Sequence, residues 1–257
     1  DTVQVFTMDV LNEDVNDGNQ GTQMDALGHF GHLDKPWDGK TELDMSKATF
    51  FGGFKGTEVK PSPNSPLLKL GIETVPPIIT SAVLIDIKKY INDGVAMSAG
   101  EYISVADFDL ALKKSSLADR GVLPGDAVLI YTGWSDNYQD PDESKIYYSM
   151  APGISYELAQ HLASKKVVAV GLDTPYVDAV ADPNVPIKLS KGTPKNMVLP
   201  IHHYFLTQVG VHTLENFNLK KLALDSVELS CVMILPLMVE GSSASSLRPV
   251  AIGRARS

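Results

Sequence analysis

Short apolar runs that alternate with helical segments constrain the fold of this chain more than any other feature of its sequence. Residues 127–132 and 167–172 are apolar runs of strand length, and residues 155–165 between them have a helical pattern. Continuous apolar runs of this kind are typical of strands buried on both faces, and their alternation with helices favours a mixed α/β fold. We therefore predict a mixed sheet with flanking helices.

The composition is that of an ordinary globular protein, and it limits the expected partners. Of the 257 residues, 44% are hydrophobic and 21% are charged, as is typical of folded domains. No internal repeat or linker divides the sequence, so we expect a single domain over residues 1–257. The formal net charge of −9, without a basic cluster, argues against nucleic acid. The longest apolar run, residues 231–239, is too short to cross a bilayer, so we expect no membrane partner.

The single cysteine bears on the cellular compartment of the protein, and the first residue bears on whether an upstream segment precedes this sequence. Cys231 lies among apolar residues and is predicted to be a buried hydrophobe rather than a nucleophile. One cysteine cannot form an intrachain disulfide, which fits a reducing compartment, so we expect a cytoplasmic protein. The sequence begins at Asp1, without a starting Met, just before a predicted strand at residues 3–6. We therefore expect an upstream segment to be missing.

Polar side chains recur in a turn-rich segment near the start of the chain. Residues 19–29 read NQGTQMDALGH, so Gln23, Asp25 and His29 supply an amide oxygen, a carboxylate and an imidazole. Divalent cations accept these ligand types. Taken alone, Gln23 and Asp25 are also ordinary turn residues, because Gly21 and Gly28 mark turns. The segment is a candidate metal site whose assignment depends on other parts of the chain.

Two adjacent histidines and a glutamate lie near the other end of the chain. Pro200 and Gly210 mark the start and the end of a predicted short helix over residues 200–209. On such a helix His202 and His203 point about 100° apart, so at most one of them faces a given site. Glu215 follows on a predicted strand, where a carboxylate needs water or a partner, and a cation is one such partner.

With these residues in place, the chain resembles the cyclase-like metal-dependent hydrolases, which include bacterial kynurenine formamidases, isatin hydrolases and trans-dienelactone hydrolases. The signature of that family is His-x-Gly-Thr-His-x-Asp-x-x-x-His, and residues 19–29 keep its spacing while Asn19 and Gln23 replace two histidines. The resemblance covers nearly the whole chain, because further similar stretches occur in the family's order at residues 71–77, 124–126, 132–134, 152–155, 171–174 and 248–252. It implies a swivelling β/β/α architecture and a homo-oligomer, a dimer or tetramer, with active sites near subunit contacts.

The resemblance also implies which residues form the site. The family has a His followed twelve residues later by a Glu, and His203 with Glu215 reproduces that separation, so His203 is preferred to His202. The predicted metal ligands are therefore Gln23, Asp25, His203 and Glu215. His29 matches the family's catalytic His, which implies general acid/base work on the attacking water and the leaving group. Residues predicted to lie around the ligands without binding the ion are Asn19, His32 and His202.

The replacement of two signature histidines by Asn19 and Gln23 changes the metal and the substrate that the resemblance implies. Without them the site lacks the ligands for a dinuclear zinc centre, so we expect one divalent ion. The oxygen-rich ligand set shifts the preference towards Mn²⁺ or Mg²⁺ while Zn²⁺ stays compatible, and Mn²⁺ or Zn²⁺ is the predicted ion. Gln23 resembles the trans-dienelactone hydrolase branch, which favours opening of a small cyclic lactone or cyclic amide. The alternatives are a kynurenine formamidase acting on N-formylkynurenine and a catalytically inactive relative that binds a metal or a ligand.

Overall fold

The computed structural model describes residues 2–7, 21–139, 144–182 and 189–255. Within these residues the strands are β1 (Thr2–Phe6), β2 (Gln23–Asp25), β3 (Phe30–Trp37), β4 (Ala48–Thr49), β5 (Ile78–Asp86), β6 (Tyr102–Ile103), β7 (Ala127–Tyr131), β8 (Gly153–Ile154), β9 (Ala169–Leu172), β10 (His212–Glu215), β11 (Leu229–Ile234), β12 (Ala244–Ser246) and β13 (Val250–Gly253). The helices are α1 (Gly56–Val59), α2 (Ile87–Tyr90), α3 (Val105–Lys114), α4 (Ile146–Ser149), α5 (Tyr156–Ser164), α6 (Pro200–His203) and α7 (Lys220–Leu224). A π-helix, Tyr204–Val209, continues α6, and short 3₁₀ helices occur at Met45–Lys47, Phe51–Gly53, Ile72–Thr74 and Trp134–Asn137.

The main sheet has eight strands in the order β12-β2-β10-β9-β7-β5-β11-β13. The four central strands, β10, β9, β7 and β5, run parallel to one another, and the pairs outside them are antiparallel. Parallel strands need crossover connections, and α3 and α5 lie on the connections that join β5 to β7 and β7 to β9. The predicted mixed α/β sheet with flanking helices is confirmed.

Both faces of the central strands are covered, as their continuous apolar sequences predicted. In β7 all five side chains are buried. Val128 and Ile130 pack in the core beneath α3 and α5, while Leu129 belongs to the core on the opposite face, which includes residues of β11 and α7. Neighbouring residues of a strand point to opposite faces, so an uninterrupted apolar run is what a doubly covered strand requires.

The helix signals in the sequence correspond to observed caps. Ser104 caps α3 by accepting a hydrogen bond from the Asp107 backbone N–H, and Asp107 accepts one from the Ser104 backbone in return. This reciprocal pair satisfies backbone donors that the first turn of the helix leaves without an intrahelical partner. The predicted start of the helix at Ser104 is confirmed.

A smaller three-stranded sheet, in the order β1-β3-β4, lies beside the first turns of the α6 region. Strands β1 and β3 are antiparallel, and Phe6 pairs with Phe30. The Thr7 backbone N–H donates to the His29 carbonyl at 2.7 Å, so the chain just before β3 is tied to the end of β1. This sheet therefore carries His29 to the side of α6.

The prediction for Cys231 is wrong, because its side chain is exposed. In β11 the burial alternates, so that Ser230 and Val232 are buried while Leu229 and Cys231 face outward. The apolar neighbours of Cys231 in the sequence predicted its burial, but only one face of β11 is covered and Cys231 lies on the other.

In the part of the chain that the structure describes, no helix is both long enough and apolar enough to cross a bilayer.

Candidate metal centre

Strands β2 and β10 bring acidic and amide side chains together on one face of the main sheet. They pair antiparallel with Gln23 opposite Glu215, and residues directly opposite in such a pair share a face. Asp25, two residues after Gln23, lies on that face as well, and Thr213 donates to its Oδ2 at 2.6 Å. The face is turned towards α6, and Asp25 and Glu215 are at most 2% exposed.

Helix α6 adds an imidazole to these carboxylates. His202 Nε2 lies 2.7 Å from Glu215 Oε1 and 3.5 Å from Asp25 Oδ2. One ligand atom from each of Asp25, His202 and Glu215 lies within 4.8 Å of the others, and all three side chains are buried. Gln23 Nε2 donates to Glu215 Oε2 at 3.0 Å and contacts Asp25 Oδ1 at 3.4 Å. We call Gln23, Asp25, His202 and Glu215 the metal cluster.

The protonation of the metal cluster follows from burial and mutual attraction. Burial, followed by the charge of Asp25, raises the pKa of Glu215 to about 7. Burial alone lowers the pKa of His202, but Glu215, Asp178 and Asp25 outweigh it and hold that pKa well above its ordinary value. Burial likewise raises the pKa of Asp25, but His29 and His202 outweigh it, and the pKa lies below its ordinary value. The carboxyl groups of Asp25 and Glu215 are therefore both stabilised by the positive charge of the buried His202 imidazolium. A bound cation can supply the same positive charge.

The donors of the metal cluster fit a divalent ion. Two carboxylates and an imidazole are ligands of Mn²⁺ and Zn²⁺. Gln23 Oε1 is buried and has no hydrogen-bond partner in the described residues. An unsatisfied buried oxygen costs free energy, and a half-turn of the amide exchanges Oε1 with Nε2, which places this oxygen against the cluster. Three predicted ligands, Gln23, Asp25 and Glu215, are thus brought together.

The structure reverses the expected order of the two histidines. His203 Nε2 lies 3.1 Å from Nδ1 of His32, whereas His202 contacts Glu215 and occupies the place predicted for His203. Adjacent residues of a helix point about 100° apart, so when Asp178 and Glu215 hold His202, His203 is turned to His32 instead. The His that reaches Glu215 lies thirteen residues before it in the sequence instead of twelve.

Asp178 orients His202, and sequence reasoning missed it. Asp178 Oδ1 accepts from the Ile201 backbone N–H at 2.8 Å, and Oδ2 accepts from the His202 backbone N–H at 3.1 Å. The same Oδ2 lies 2.6 Å from His202 Nδ1, so Nδ1 carries a hydrogen and Nε2 faces the carboxylates. Such a carboxylate–histidine contact holds a metal-binding imidazole in one orientation. Asp178 follows the family-like residues 171–174, but nothing in its local pattern distinguishes it from a loop residue.

His29 lies at the side of the metal cluster. Its ring centroid is 6.4 Å from that of His202, and the ring of Phe30 stacks on His202 at 5.3 Å. His29 Nδ1 lies 3.3 Å from Ser243 Oγ, and the Ser243 hydroxyl donates to the Thr7 carbonyl at 3.1 Å. A hydroxyl that donates its hydrogen elsewhere accepts from Nδ1, which leaves His29 Nε2 as the basic nitrogen of the neutral ring.

The residues predicted to surround the ligands have different positions. His202 belongs to the metal cluster itself. His32 contacts His203 instead of the cluster. Burial, followed by the charge of His32, lowers the pKa of His203 to about 4, so His203 is neutral at ordinary pH. Asn19 lies outside the described residues.

These features define a class of protein: a mixed α/β protein with a buried Asp–His–Glu cluster suited to one divalent cation. The family described as "Putative cyclase" matches residues 5–179 of the chain. This range is more than half of the sequence, so the chain belongs to the Cyclase family. The match contains Gln23, Asp25 and Asp178 but ends before His202 and Glu215.

Solved structures with the same fold confirm the cyclase-type architecture. A structure described as a novel cyclase has a TM-score of 0.69 at 22% identity, covering 97% of this chain and 79% of the other. Isatin hydrolase A from Ralstonia solanacearum has a TM-score of 0.57 at 20% identity, covering 91% and 72%. Isatin hydrolase A from Labrenzia aggregata, bound to benzyl benzoate, has a TM-score of 0.57 at 17% identity, covering 94% and 76%. No curated protein matched the chain.

Proposed function

We propose that this protein is a metal-dependent hydrolase that opens a small cyclic amide or lactone. The observation that carries the proposal is the convergence of Asp25, His202 and Glu215 within 4.8 Å in a buried site. Buried acids this close together need a cationic partner, and a divalent ion is the partner that a hydrolase of this family uses. In this proposal Gln23 and His29 complete the site.

Different residues of the chain bind the ion and transfer the proton. Asp25, His202 and Glu215 would hold the ion, with the Gln23 amide oxygen as a further donor. When bound, a divalent cation lowers the pKa of water and polarises a carbonyl group. His29 Nε2 takes the proton from the attacking water and returns it to the nitrogen or oxygen that leaves. Ser243 keeps the ring in the required tautomer through Nδ1.

The preference for a cyclic substrate rests on the donor set. Gln23 stands where the formamidase signature has a histidine, and this exchange resembles the trans-dienelactone hydrolase branch. Ring opening leaves the amine or alcohol attached to the acid product, so the leaving group stays within reach of the residue that protonates it. His29 at the side of the cluster suits this single-residue proton transfer.

Metal content and a substrate screen test the proposal together. We expect Mn²⁺ or Zn²⁺ in the purified protein by elemental analysis, near one ion per chain. Hydrolysis of isatin, dienelactone and N-formylkynurenine is then followed before chelation, after chelation and after metal is restored. We expect isatin or the lactone to be opened in a chelator-sensitive way. Turnover of N-formylkynurenine alone would assign a formamidase instead, and a metal-loaded protein without turnover would be an inactive relative.

Substitution of His29 tests the assigned proton transfer. His29→Ala should lower kcat by about two to four orders of magnitude while the metal content stays the same, because the imidazole moves protons without holding the ion. His161→Ala is the matched control, since His161 lies on α5 and pairs with Asp109 at 3.5 Å. Equal kcat values for the His29 variant and the control would remove His29 from the mechanism.

A further inference from the structure

A cavity of about 460 Å³ lies on the face of the main sheet opposite the metal cluster. Its lining includes Leu129 of β7 and Val232 of β11, and both belong to the same core as Met24 of β2. Met24 lies between two residues of the metal cluster, Gln23 and Asp25, and neighbouring residues of a strand point to opposite faces. The sheet therefore separates the cavity from the metal cluster.

The walls of this cavity are mainly apolar. The side chains that form them come from β7, β11, α7 and the segments on either side of α7, and they include Leu129, Phe217, Leu219, Leu222, Val227 and Val232. Such walls offer water few hydrogen bonds, so an apolar ligand is favoured over water between them. Small-molecule sites have volumes of about 300–1,000 Å³ and the same kind of lining, with a few polar groups that fix the orientation of the ligand. The cavity therefore has the size and the lining of a small-molecule site.

The charged residues of the cavity include one positive charge that is not neutralised. Three of the lining residues are charged: Lys221, Asp225 and Arg248. Lys221 Nζ lies 2.7 Å from Asp225 Oδ2, so these two charges neutralise each other. Arg248 is exposed, and no carboxylate of the described residues pairs with it. On a chain with a formal net charge of −9, the cavity therefore carries a local positive charge, which is complementary to an anion.

We propose that this cavity binds a small organic carboxylate, with its apolar body between the apolar walls and its carboxylate on Arg248. A guanidinium binds a carboxylate through two parallel hydrogen bonds, which fix the orientation of the ligand. The apolar body supplies affinity because its surface is removed from water. No residue of the metal cluster lines the cavity, so the site does not depend on the proposed hydrolase activity.

Two adjacent residues of β13 provide a matched pair of substitutions. Ala251 lies opposite Val232 of β11 and lines the cavity. Ile252 lies opposite Cys231 and points to the other face of the sheet, where it is 62% exposed. Ala251→Trp should therefore fill the cavity, whereas Ile252→Trp, with the same added side chain, should leave it unchanged.

Binding of 2-naphthoate, measured by isothermal titration calorimetry, tests the proposal. This probe has an apolar body and a carboxylate, and 2-naphthamide is its uncharged counterpart. We expect saturable binding of 2-naphthoate and about tenfold weaker binding of the amide, because a hydrogen bond between charged groups is stronger than a neutral one. Arg248→Gln should weaken binding of 2-naphthoate about tenfold for the same reason. Arg254→Gln is the matched control, since Arg254 is exposed and does not line the cavity, and it should bind the probe as the wild type does.

The tryptophan variants and chelation establish where the probe binds. Ala251→Trp should abolish binding and Ile252→Trp should keep it, with circular dichroism showing that each variant is folded. Arg248→Gln tests the site independently if Ala251→Trp does not fold. Each titration is repeated after chelation, because a carboxylate also binds metal ions. The absence of saturable binding would overturn the proposal, and so would binding that folded Ala251→Trp or Arg248→Gln leaves unchanged, or binding that chelation removes.

Discussion

At the scale of single residues, the contact between Asp178 and His202 explains how the His202 imidazole is held with Nε2 towards the carboxylates of the metal cluster. Asp178 binds the first backbone N–H groups of α6 and the Nδ1 of His202 with the same carboxylate. The side chain is 2% exposed, so these bonds are shielded from water. Position and tautomer of the ring are therefore set by one residue outside the metal cluster. In the proposed metal site, the charge of Asp178 would also make the His202 ring a stronger ligand.

Asp178→Asn is predicted to weaken metal binding by about 10- to 100-fold, because the amide has no negative charge and only one acceptor oxygen for the donors that the two carboxylate oxygens now bind. The dissociation constant is measured by competition with a chelator of known affinity. Asp109→Asn is the matched control, because Asp109 pairs with a histidine outside the cluster, His161, at 3.5 Å. Equal affinities for the variant and the wild type would contradict the orienting role, whereas a wild type that binds no metal would contradict the proposed function.

At the scale of elements, individual residues fix how helices and strands pack against each other. Gly210 terminates the π-helix after α6 with a φ of 69°. It lies against Phe51, and a Cβ added at Gly210 would approach the Phe51 ring within 2.6 Å. Glu228, directly before β11, joins this strand to two helices. Its carboxylate accepts hydrogen bonds from the Tyr90 hydroxyl at the end of α2 and, at 2.8 Å, from the Ser116 backbone N–H after α3.

The pH dependence of stability should reveal the Glu228 connection. Burial raises the pKa of Glu228, but the hydrogen bonds from Ser116 and Tyr90 outweigh it and hold the pKa below its ordinary value of 4.5. The folded state thus favours the carboxylate, and this stabilisation is present above pH 4.5 and disappears as the pH falls through the folded-state pKa.

Glu228→Gln should lower the free energy of unfolding by roughly 1–2 kcal/mol near neutral pH, where a charged acceptor is lost. The difference from wild type should shrink at about pH 3, where Glu228 is itself protonated. Urea unfolding at both pH values measures it. Glu42→Gln, on an exposed loop, is the control and should change stability little. A difference that is the same at both pH values would contradict the assigned cause.

At the scale of the whole molecule, the metal cluster joins parts of the chain that are far apart in sequence. Gln23 and Glu215 are separated by 192 residues and meet through one strand pair. Strand β2 near the start of the chain, and α6 and β10 near its end, are all required to assemble the site. An ion that binds only the assembled site therefore stabilises the whole fold.

Metal should raise the melting temperature of the chelated protein. At a free Mn²⁺ or Zn²⁺ concentration about 100 times the dissociation constant, the added stability is about 2.7 kcal/mol. Asp25→Asn should remove this shift, because it deletes a buried carboxylate of the cluster. Asp225→Asn, in an exposed pair with Lys221, is the control and should keep it. Calorimetry with and without metal measures both, and a shift that survives Asp25→Asn would place the ion elsewhere.

The sequence by itself determined several of the elements and pointed to three of the four residues of the metal cluster, Gln23, Asp25 and Glu215. The apolar runs of β7 and β9 and the cap at Ser104 are local signals, and local signals report directly on backbone conformation. The spacing of residues 19–29 pointed to Gln23 and Asp25 because a short segment keeps its geometry in any copy of a family. Glu215 was recognisable as an acid on an apolar strand.

Only the tertiary structure decided which histidine joins these residues and which face of β11 is covered. The choice between His202 and His203 depends on the contacts of His202 with Asp178 and Glu215, which come from other segments of the chain. Asp178 acts through a contact across 24 residues, and Cys231 is exposed because the helices that would cover it do not extend that far. Each of these outcomes depends on the packing of distant segments, whereas spacing and composition describe only neighbours along the chain.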